Sequence, residues 1–297
     1  TLMMKVFVKD NFRLALLVLL DKICFLIPDK PYLQWRYYLS FSRKLDLKNP
    51  RTFSEKLQWL KLYNRRMEYT RMVDKVEAKK YVSELLGEKY VIPTLGVWDD
   101  PDDINFDALP EQFVLKCNHN SGLGMCVCRD KSRLNISKVK DKLRKGLKQN
   151  YYLHGREWPY KNVPRKILAE KFMVDGVSEN LTDYKFFCFD GEPFMMYVSK
   201  DNAEHTTTDF FDMEYNRLPI RMKDPNSDCP PEKPEEFEQM CALSKVLSKG
   251  IPHLRVDFYC INHQIYVGEM TFYHNSGFGP INPEEWNLKL GSLIKIE

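Results

Sequence analysis

Asp257 and Glu269 stand on two strand-like runs, HLRVDFYC (253–260) and QIYVGEMTF (264–272), which flank Asn262-His263 as a hairpin. Residues two apart in a strand share a face, so Arg255 and Asp257 point one way and Glu269 and Thr271 do likewise on the partner run. A register centred on Asn262-His263 sets Asp257 opposite Gly268 or Glu269. Two carboxylates so placed repel each other unless a cation lies between them. Oxygen ligands from Asp, Glu and a nearby Thr or Asn suit Mg²⁺, which keeps waters and binds phosphates as well. The bland alternative is a surface pair on opposite faces.

A second candidate is the loop between the runs QFVLKCN (112–118) and GMCVCRD (124–130). Lys116 lies near the end of the first run, and Asn118, His119, Asn120, Ser121, Gly122 and Gly124 follow. Glycines let backbone N–H groups approach an anion, hydroxyl and amide side chains add donors, and a lysine supplies a point charge. That is the chemistry of a phosphate cradle. It is not a Walker A loop, whose G-x-x-x-x-G-K-[ST] spacing and following helix are missing. A plain hairpin turn would explain the glycines but not Lys116 beside an otherwise apolar strand. The same six residues, HNSGLG at 119–124, return with one change as HNSGFG at 274–279. The surroundings do not repeat, so two loops with different jobs are expected: a flexible cover in the first, and in the second a fixed loop beside the hairpin that offers Asn275.

Several elements must position these groups. Residues 46–90 are helical in character, with a start signal at Thr52 or Ser54 and a second helix over Tyr69 to Leu86 closed by Gly87. Strand-like runs at 89–98, 112–118 and 124–130 form a three-strand unit followed by a basic helix, 136–150, whose charge run reads as a solvated face. RKILAEKFM (165–173) is a further apolar strand. DYKFFCF and PFMMYVSK flank Asp190-Gly191 as a hairpin, 224–236 is a surface loop, and a helix at 235–249 ends at Gly250. The order is that of an α+β chain in several lobes.

Composition removes some classes. The chain has 297 residues and is 43% hydrophobic, long enough for one large core or several smaller ones. Forty-five Lys and Arg against 41 Asp and Glu give no global case for nucleic acid. The eight cysteines sit mostly in apolar runs, which suits reduced thiols and a cytoplasmic protein better than a disulfide framework. LALLVLL (14–20) falls short of the about 20 apolar residues that span a bilayer. It reads either as a helix packed on the main body or as a peripheral contact with a membrane surface, helped by Lys5, Lys9, Arg13 and Lys22.

Taken together, NPRTFSEKLQWLKLY (49–63), VDKVEAKKYV (73–82), FVLKCNHNSG (113–122), GREWPYKN (155–162), DYKFFCFDGEP (183–193), RVDFY (255–259), GEMTFYHNSGFG (268–279) and PEEWNLKLGS (283–292) resemble the TupA-like ATP-grasp family of bacterial teichuronopeptide and surface polysaccharide biosynthesis. The likeness covers 46–297. It implies an ATP-grasp fold, two α+β lobes gripping ATP, preceded by a helical region at 1–45. The divisions would be 46–112 as an N-terminal lobe, 113–173 as a lid subdomain and 174–297 as a C-terminal lobe carrying the metal and acceptor site.

Position by position, the resemblance implies that Lys75 and Lys116 flank the nucleotide, with Ser121, Gly122 and Gly124 as a mobile lid over its phosphates. Glu170, Lys171 and Phe172 would meet the adenine, Glu179 or Asp183 the ribose, and Lys185 the phosphates. Arg255 would face the transferred phosphate or the acceptor, and Asp257 and Glu269 would hold Mg²⁺. ATP-grasp sites commonly carry Asn two residues after the metal Glu; Thr271 stands there, so Thr271 or Asn275 must be the third ligand. Lys116, Lys185 and Arg255 are the expected catalytic residues, and His119 and His274 are read as hydrogen-bonded loop residues.

The implied reaction is ATP- and Mg²⁺-dependent ligation of a carboxylate to an amine through an acylphosphate. The expected partners are an acidic sugar or glycan acceptor and an amine or amino acid, with peripheral contact to the inner membrane or to other glycan-assembly enzymes. The alternatives are a glycosyltransferase or sugar kinase on the same fold, and a non-catalytic nucleotide-binding scaffold.

Overall fold

The computed structural model describes residues 2–174, 181–201 and 206–296; for residues 2–11 and 201 only the backbone is described. Two helices open the chain, α1 (Leu2–Ile23) and α2 (Asp29–Phe41). Then come α3 (Phe53–Tyr63), α4 (Met67–Val73) and α5 (Glu77–Leu86). α3 starts where the sequence signals it: the Thr52 hydroxyl accepts from Glu55 N–H and the Glu55 carboxylate accepts from Thr52 N–H, a reciprocal capping box.

The single helix expected over Tyr69 to Leu86 is instead two. Asp74 interrupts it: its Oδ1 accepts from Val76 N–H (2.9 Å) and from Asn118 Nδ2 (2.8 Å), while Lys75 N–H donates to Asn118 O (3.1 Å). A distant strand end thus takes over the backbone group that a continuous helix would have used, and the break leaves Lys75 in a loop.

Two antiparallel sheets follow. The smaller contains β1 (Thr94–Trp98), β2 (Phe113–Cys117), β3 (Cys126–Cys128) and β4 (Ile167–Lys171) in the order β1-β4-β2-β3. The expected three-strand unit is therefore four-stranded, because β4 inserts between β1 and β2. α6 (Ile136–Lys148) covers it with Val139 and Leu143 buried; its outer lysines are solvated or, as with Lys140 and Arg144, paired with Asp102. A short α7 (Tyr151–Gly155) leads back to the main body.

The larger sheet contains β5 (Asp183–Phe189), β6 (Glu192–Asp201), β7 (Thr206–Asp212), β8 (Arg217–Leu218), β9 (Leu254–Ile261) and β10 (Gln264–Thr271) in the order β10-β9-β5-β6-β7-β8. Both anticipated tight turns are present, Asp190-Gly191 and Asn262-His263, with all four residues at positive φ. α8 (Phe237–Ser248) and α9 (Glu284–Leu293) pack with this sheet, and α3, α4 and α5 contribute Phe53, Leu57, Tyr69, Met72 and Val82 to the same core. Ile104, Phe106 and Leu109 belong to the core of the smaller sheet. The eight cysteines are free thiols, as expected.

Candidate active site

On the larger sheet β10 pairs with β9 so that Glu269 lies opposite Asp257 and Thr271 opposite Arg255, with a bulge at Gly268. β5 flanks β9 on its other side and sets Lys185 opposite Asp257. Asp183, Lys185, Arg255, Asp257, Glu269 and Thr271 therefore gather on one face. Asp257 is only 2% exposed. Its Oδ1 accepts from Arg255 Nε (2.7 Å), and its Oδ2 accepts from Arg255 Nη2 (2.7 Å) and Lys185 Nζ (2.8 Å).

Burial alone would push the Asp257 carboxyl up, but the Arg255 and Lys185 cations override it and hold it below the usual range. Burial likewise works against the charge on Lys185, yet Asp257 carries that ammonium up to about 12. For Asp183 burial wins: its carboxyl sits above its ordinary value although Lys185 is 3.4 Å away. The repulsion expected to demand a metal between Asp257 and Glu269 is thus relieved by the protein's own cations, so a metal must be judged on the donor set alone.

That set fits a hard cation. Asp257 accepts three hydrogen bonds, and a carboxylate offers about four lone-pair sites, so Oδ1 retains room for one further contact. Glu269 is more than a third exposed, and the Thr271 hydroxyl, which accepts from Arg255 Nη2 at 3.2 Å, lies two residues along the same face. All three offer oxygen. Asn275 is differently engaged. Arg255 Nη1 donates to His274 Nδ1 (2.8 Å), and Asn275 Nδ2 lies 3.1 Å from His274 Nε2, so the Asn275 side chain is committed to the ring beside it. Arg255 spends four of its five N–H groups on Asp257, Thr271 and His274, which makes it foremost the organiser of this face.

Across from this face stands a lysine cluster. Glu170 on β4, 6% exposed, is held by Lys79 Nζ (2.7 Å) and by Lys116 Nζ. Burial opposes its charge, but Lys116 and then Lys79 keep the carboxyl below its usual range. Lys75 and Lys79 are themselves depressed by burial. Lys75 Nζ donates to Asn120 O (2.7 Å) and lies 3.8 Å from Glu269 Oε1, joining the two walls. Lys75, Lys79, Lys116, Glu170 and Glu269 line one cleft together with Met72, Val82 and Val91. Its free volume is about 40 Å³, room for a few waters. Lys171 turns outward, its N–H donating to Pro93 O (3.0 Å), and the Phe172 ring lies under the Arg129 guanidinium at 5.4 Å. Glu179 lies outside the described residues.

The first loop is anchored at its start and open at its tip. His119 Nε2 meets Gln149 O (3.0 Å), and Asn120 Nδ2 donates to Gly146 O (3.2 Å). Ser121, Gly122 and Leu123 are exposed, with Gly122 at φ +80° and no atom near an added Cβ. Gly124 is buried: a Cβ there would sit 2.9 Å from Cys117 Sγ and 3.2 Å from Gly146 Cα. The exposed tip is therefore 121–123, with Gly124 packed beneath it.

The second loop is a fixed piece of the core. Gln58 donates to Gly277 O (3.0 Å), and Lys61, fully buried, donates to Ser276 O (2.7 Å), Ser276 Oγ (3.1 Å) and Gln58 Oε1 (2.9 Å). Burial pushes the Lys61 ammonium down to about 7, against the pull of Glu157. Burial pushes the Glu157 carboxyl up, against Lys61 and a hydrogen bond to Ser276. The Tyr160 phenol is held well above its ordinary value by burial and then by Glu269 and Glu157.

Sequence reading missed Lys61, Lys79, Glu157 and Tyr160. Lys79 had a signal, since it follows Lys75 by four positions, one helical turn. Lys61 also had one, since it stands between Leu60 and Leu62 in WLKLY and one turn after Leu57.

A family model described as TupA-like ATPgrasp matches residues 55–295. Among solved structures, the chain is similar to a D-alanine–D-alanine ligase from Bacillus anthracis complexed with ATP (20% identity, 68% of this chain and 55% of that chain, TM-score 0.43). It is also similar to a D-alanine–D-alanine ligase from Helicobacter pylori (14% identity, 82% and 69%, TM-score 0.44). A third is an ADP complex of N5-carboxyaminoimidazole ribonucleotide synthetase (14% identity, 82% and 58%, TM-score 0.46). The chain spans little more than half the length of the first of these. No curated protein matches the sequence significantly.

Proposed function

The chain belongs to the TupA-like ATP-grasp family, and from that premise we propose that it is an ATP- and Mg²⁺-dependent carboxylate–amine ligase, amidating a uronic acid of a bacterial surface polysaccharide or its precursor. The observation that carries this reading is the cleft in which Lys75, Lys79 and Lys116 face Glu269, with Asp257 beside it on the sheet.

In such a reaction a carboxylate oxygen attacks the terminal phosphorus of ATP, the bond to the bridging oxygen breaks, and ADP leaves with the electron pair. The amine then forms a C–N bond to the acyl carbon, the C–O bond breaks, and inorganic phosphate and a proton are released. No nucleophilic side chain is needed; positive charge in place before the phosphoryl group moves is.

Each residue then has a task. Lys75 and Lys116 supply charge to the phosphates, which requires Lys116 to exchange Glu170 for the nucleotide and the cleft to widen. Glu170, so released, stays with Lys79 beside the base, with Lys171, Phe172 and Asp183 completing the nucleotide side and Ser121 and Gly122 covering it. Glu269, Thr271 and Asp257 would hold Mg²⁺, which when bound would offset phosphate charge. Lys185 and Arg255 keep Asp257 ionised, and the last N–H of Arg255 remains for a substrate oxygen. The family's polysaccharide setting supports the choice of a uronic acid.

The test is ADP release from the full chain with uronic acids screened against amines, products being weighed by mass spectrometry. Release that requires both an acidic sugar and an amine supports the reading. Turnover that ignores every carboxylate and follows a sugar hydroxyl replaces it with a sugar kinase.

A further inference from the structure

The LALLVLL run of α1 is apolar all round, yet protein covers it on one side only: Leu20 and Cys24 are buried against Tyr32, Leu33 and Tyr37 of α2. Nine of the twenty-one large apolar side chains exposed among the described residues fall between Phe12 and Tyr38. Phe25 and Leu26, just past α1, are 66% and 70% exposed, and Trp35 on α2 is 54% exposed. Between the two helices runs a groove of about 360 Å³ whose lining, including Leu16, Leu19, Trp35 and Tyr38, is almost wholly apolar. Soluble surfaces rarely gather so much apolar area without a partner.

Charge names the partner. Residues 1–45 carry eight Lys and Arg against three Asp, a net charge of +5, whereas the whole chain nets +4 and residues 46–297 therefore −1. Asp21 is already neutralised by Arg36 (2.5 Å), and Asp29 by Arg65 (2.9 Å) and Arg156 (3.1 Å). Lys22, Lys30 and Lys44 are exposed. Among the described residues no helix is long and apolar enough to cross a membrane. An apolar patch with Trp and Tyr at its rim, set among unneutralised lysines, has the chemistry that seats in the headgroup layer of an anionic bilayer.

We propose that α1, the Cys24–Leu26 turn and α2 form a docking face for an anionic lipid surface, lying in the interface rather than spanning it. The proposal stands on the patch and its charge and is independent of the reaction assigned above. The experiment is co-sedimentation of the full chain with phosphatidylcholine vesicles, with and without phosphatidylglycerol. Binding is expected only with phosphatidylglycerol and falls in high salt. Lys22→Glu with Lys30→Glu weakens it about tenfold or more. Phe25→Ser with Leu26→Ser, at side chains the fold leaves in solvent, weakens it about 100-fold with the melting temperature unchanged. Equal binding to both vesicles, no binding to either, or binding that survives the Phe25/Leu26 changes overturns it. So does self-association, lost in the same variant, from a chain that ignores vesicles, which would give the face to a second copy.

Discussion

His119–Gly124 and His274–Gly279 are two near-identical strings in opposite physical states. Ser121 is exposed, whereas Ser276, its counterpart, is bonded by the buried Lys61 ammonium. Gly122 and Gly277 both need positive φ, but an added Cβ meets nothing at Gly122 and lies 2.4 Å from Gln58 Nε2 at Gly277. His119 rests on a helix-end carbonyl, whereas His274 sits against the Arg255–Asp257 pair. The local sequence supplies left-handed turns to both; what lies beneath decides whether the turn is a cover or a wall. One loop is thus anchored in the core and the other is open to solvent at its tip.

The largest effect should separate the two sides of the cleft by removing one charge from each. Asp257→Ala strands Arg255 and Lys185 in the core without their carboxylate, and breaking a buried pair in this way costs about 3–5 kcal/mol. ADP release should disappear with it. Lys116→Ala, which leaves the buried Glu170 with Lys79 still in place, should cost less, about 2 kcal/mol in stability, while slowing ADP release by roughly 10²–10³. Urea titration beside a coupled ADP assay checks both. Equal destabilisation by the two variants would end the distinction between a built wall and an open one.

Glycine substitution asks the same of the loops themselves. Gly277→Ala combines a left-handed alanine with a clash against Gln58 and Leu57 and should cost about 3 kcal/mol. Gly122→Ala, with the same backbone demand and open space, should cost about 1 kcal/mol. Thermal unfolding of the pair gives the difference directly, and a reversed order would mean that the first loop is the anchored one.

How much of this was legible follows from where the cause lies. The Asp257–Glu269 pairing and both hairpins could be read because alternation and the Asn262-His263 and Asp190-Gly191 turns are local signals. The break at Asp74 had only a local hint, Asp74 three residues before Glu77 as at a helix start, while the partner that completes it, Asn118, is 44 residues away. The insertion of β4 between β1 and β2 could not be read, since it is a matter of topology. The two carboxylates are neighbours as read, but the cations that stand beside Asp257 are Arg255, in view two residues upstream, and Lys185, on a strand whose pairing with β9 the sequence does not announce.

Acid should expose the anchored side next. His253 is fully buried among Phe53, Phe187 and Phe189, its Nδ1–H donating to Cys188 O and its Nε2 without a partner. Burial pushes its pKa down to about 3. The unfolded chain takes up this proton near pH 6.5 and the folded chain does not, so stability falls as pH drops below about 6.5, and by about 1.4 kcal/mol at pH 5.5. His274, held well below its ordinary value by burial and then by Arg255, acts in the same direction. Urea midpoints of wild type and His253→Phe between pH 7 and 5 measure the slope, and an unchanged slope in the variant would remove His253 as its source.

The smallest effect is the most discriminating, because it changes one oxygen in each copy of the repeat. Ser276→Ala removes an acceptor from the buried Lys61 ammonium and should cost about 1 kcal/mol. Ser121→Ala, in solvent, should change stability by less than about 0.5 kcal/mol. If Ser121 serves a bound nucleotide, its loss should appear as a raised KM for ATP without a change in urea midpoint, whereas Ser276→Ala should move the midpoint and leave KM for ATP nearly alone. A Ser121 variant that shifts stability but not KM would make the first loop a second wall.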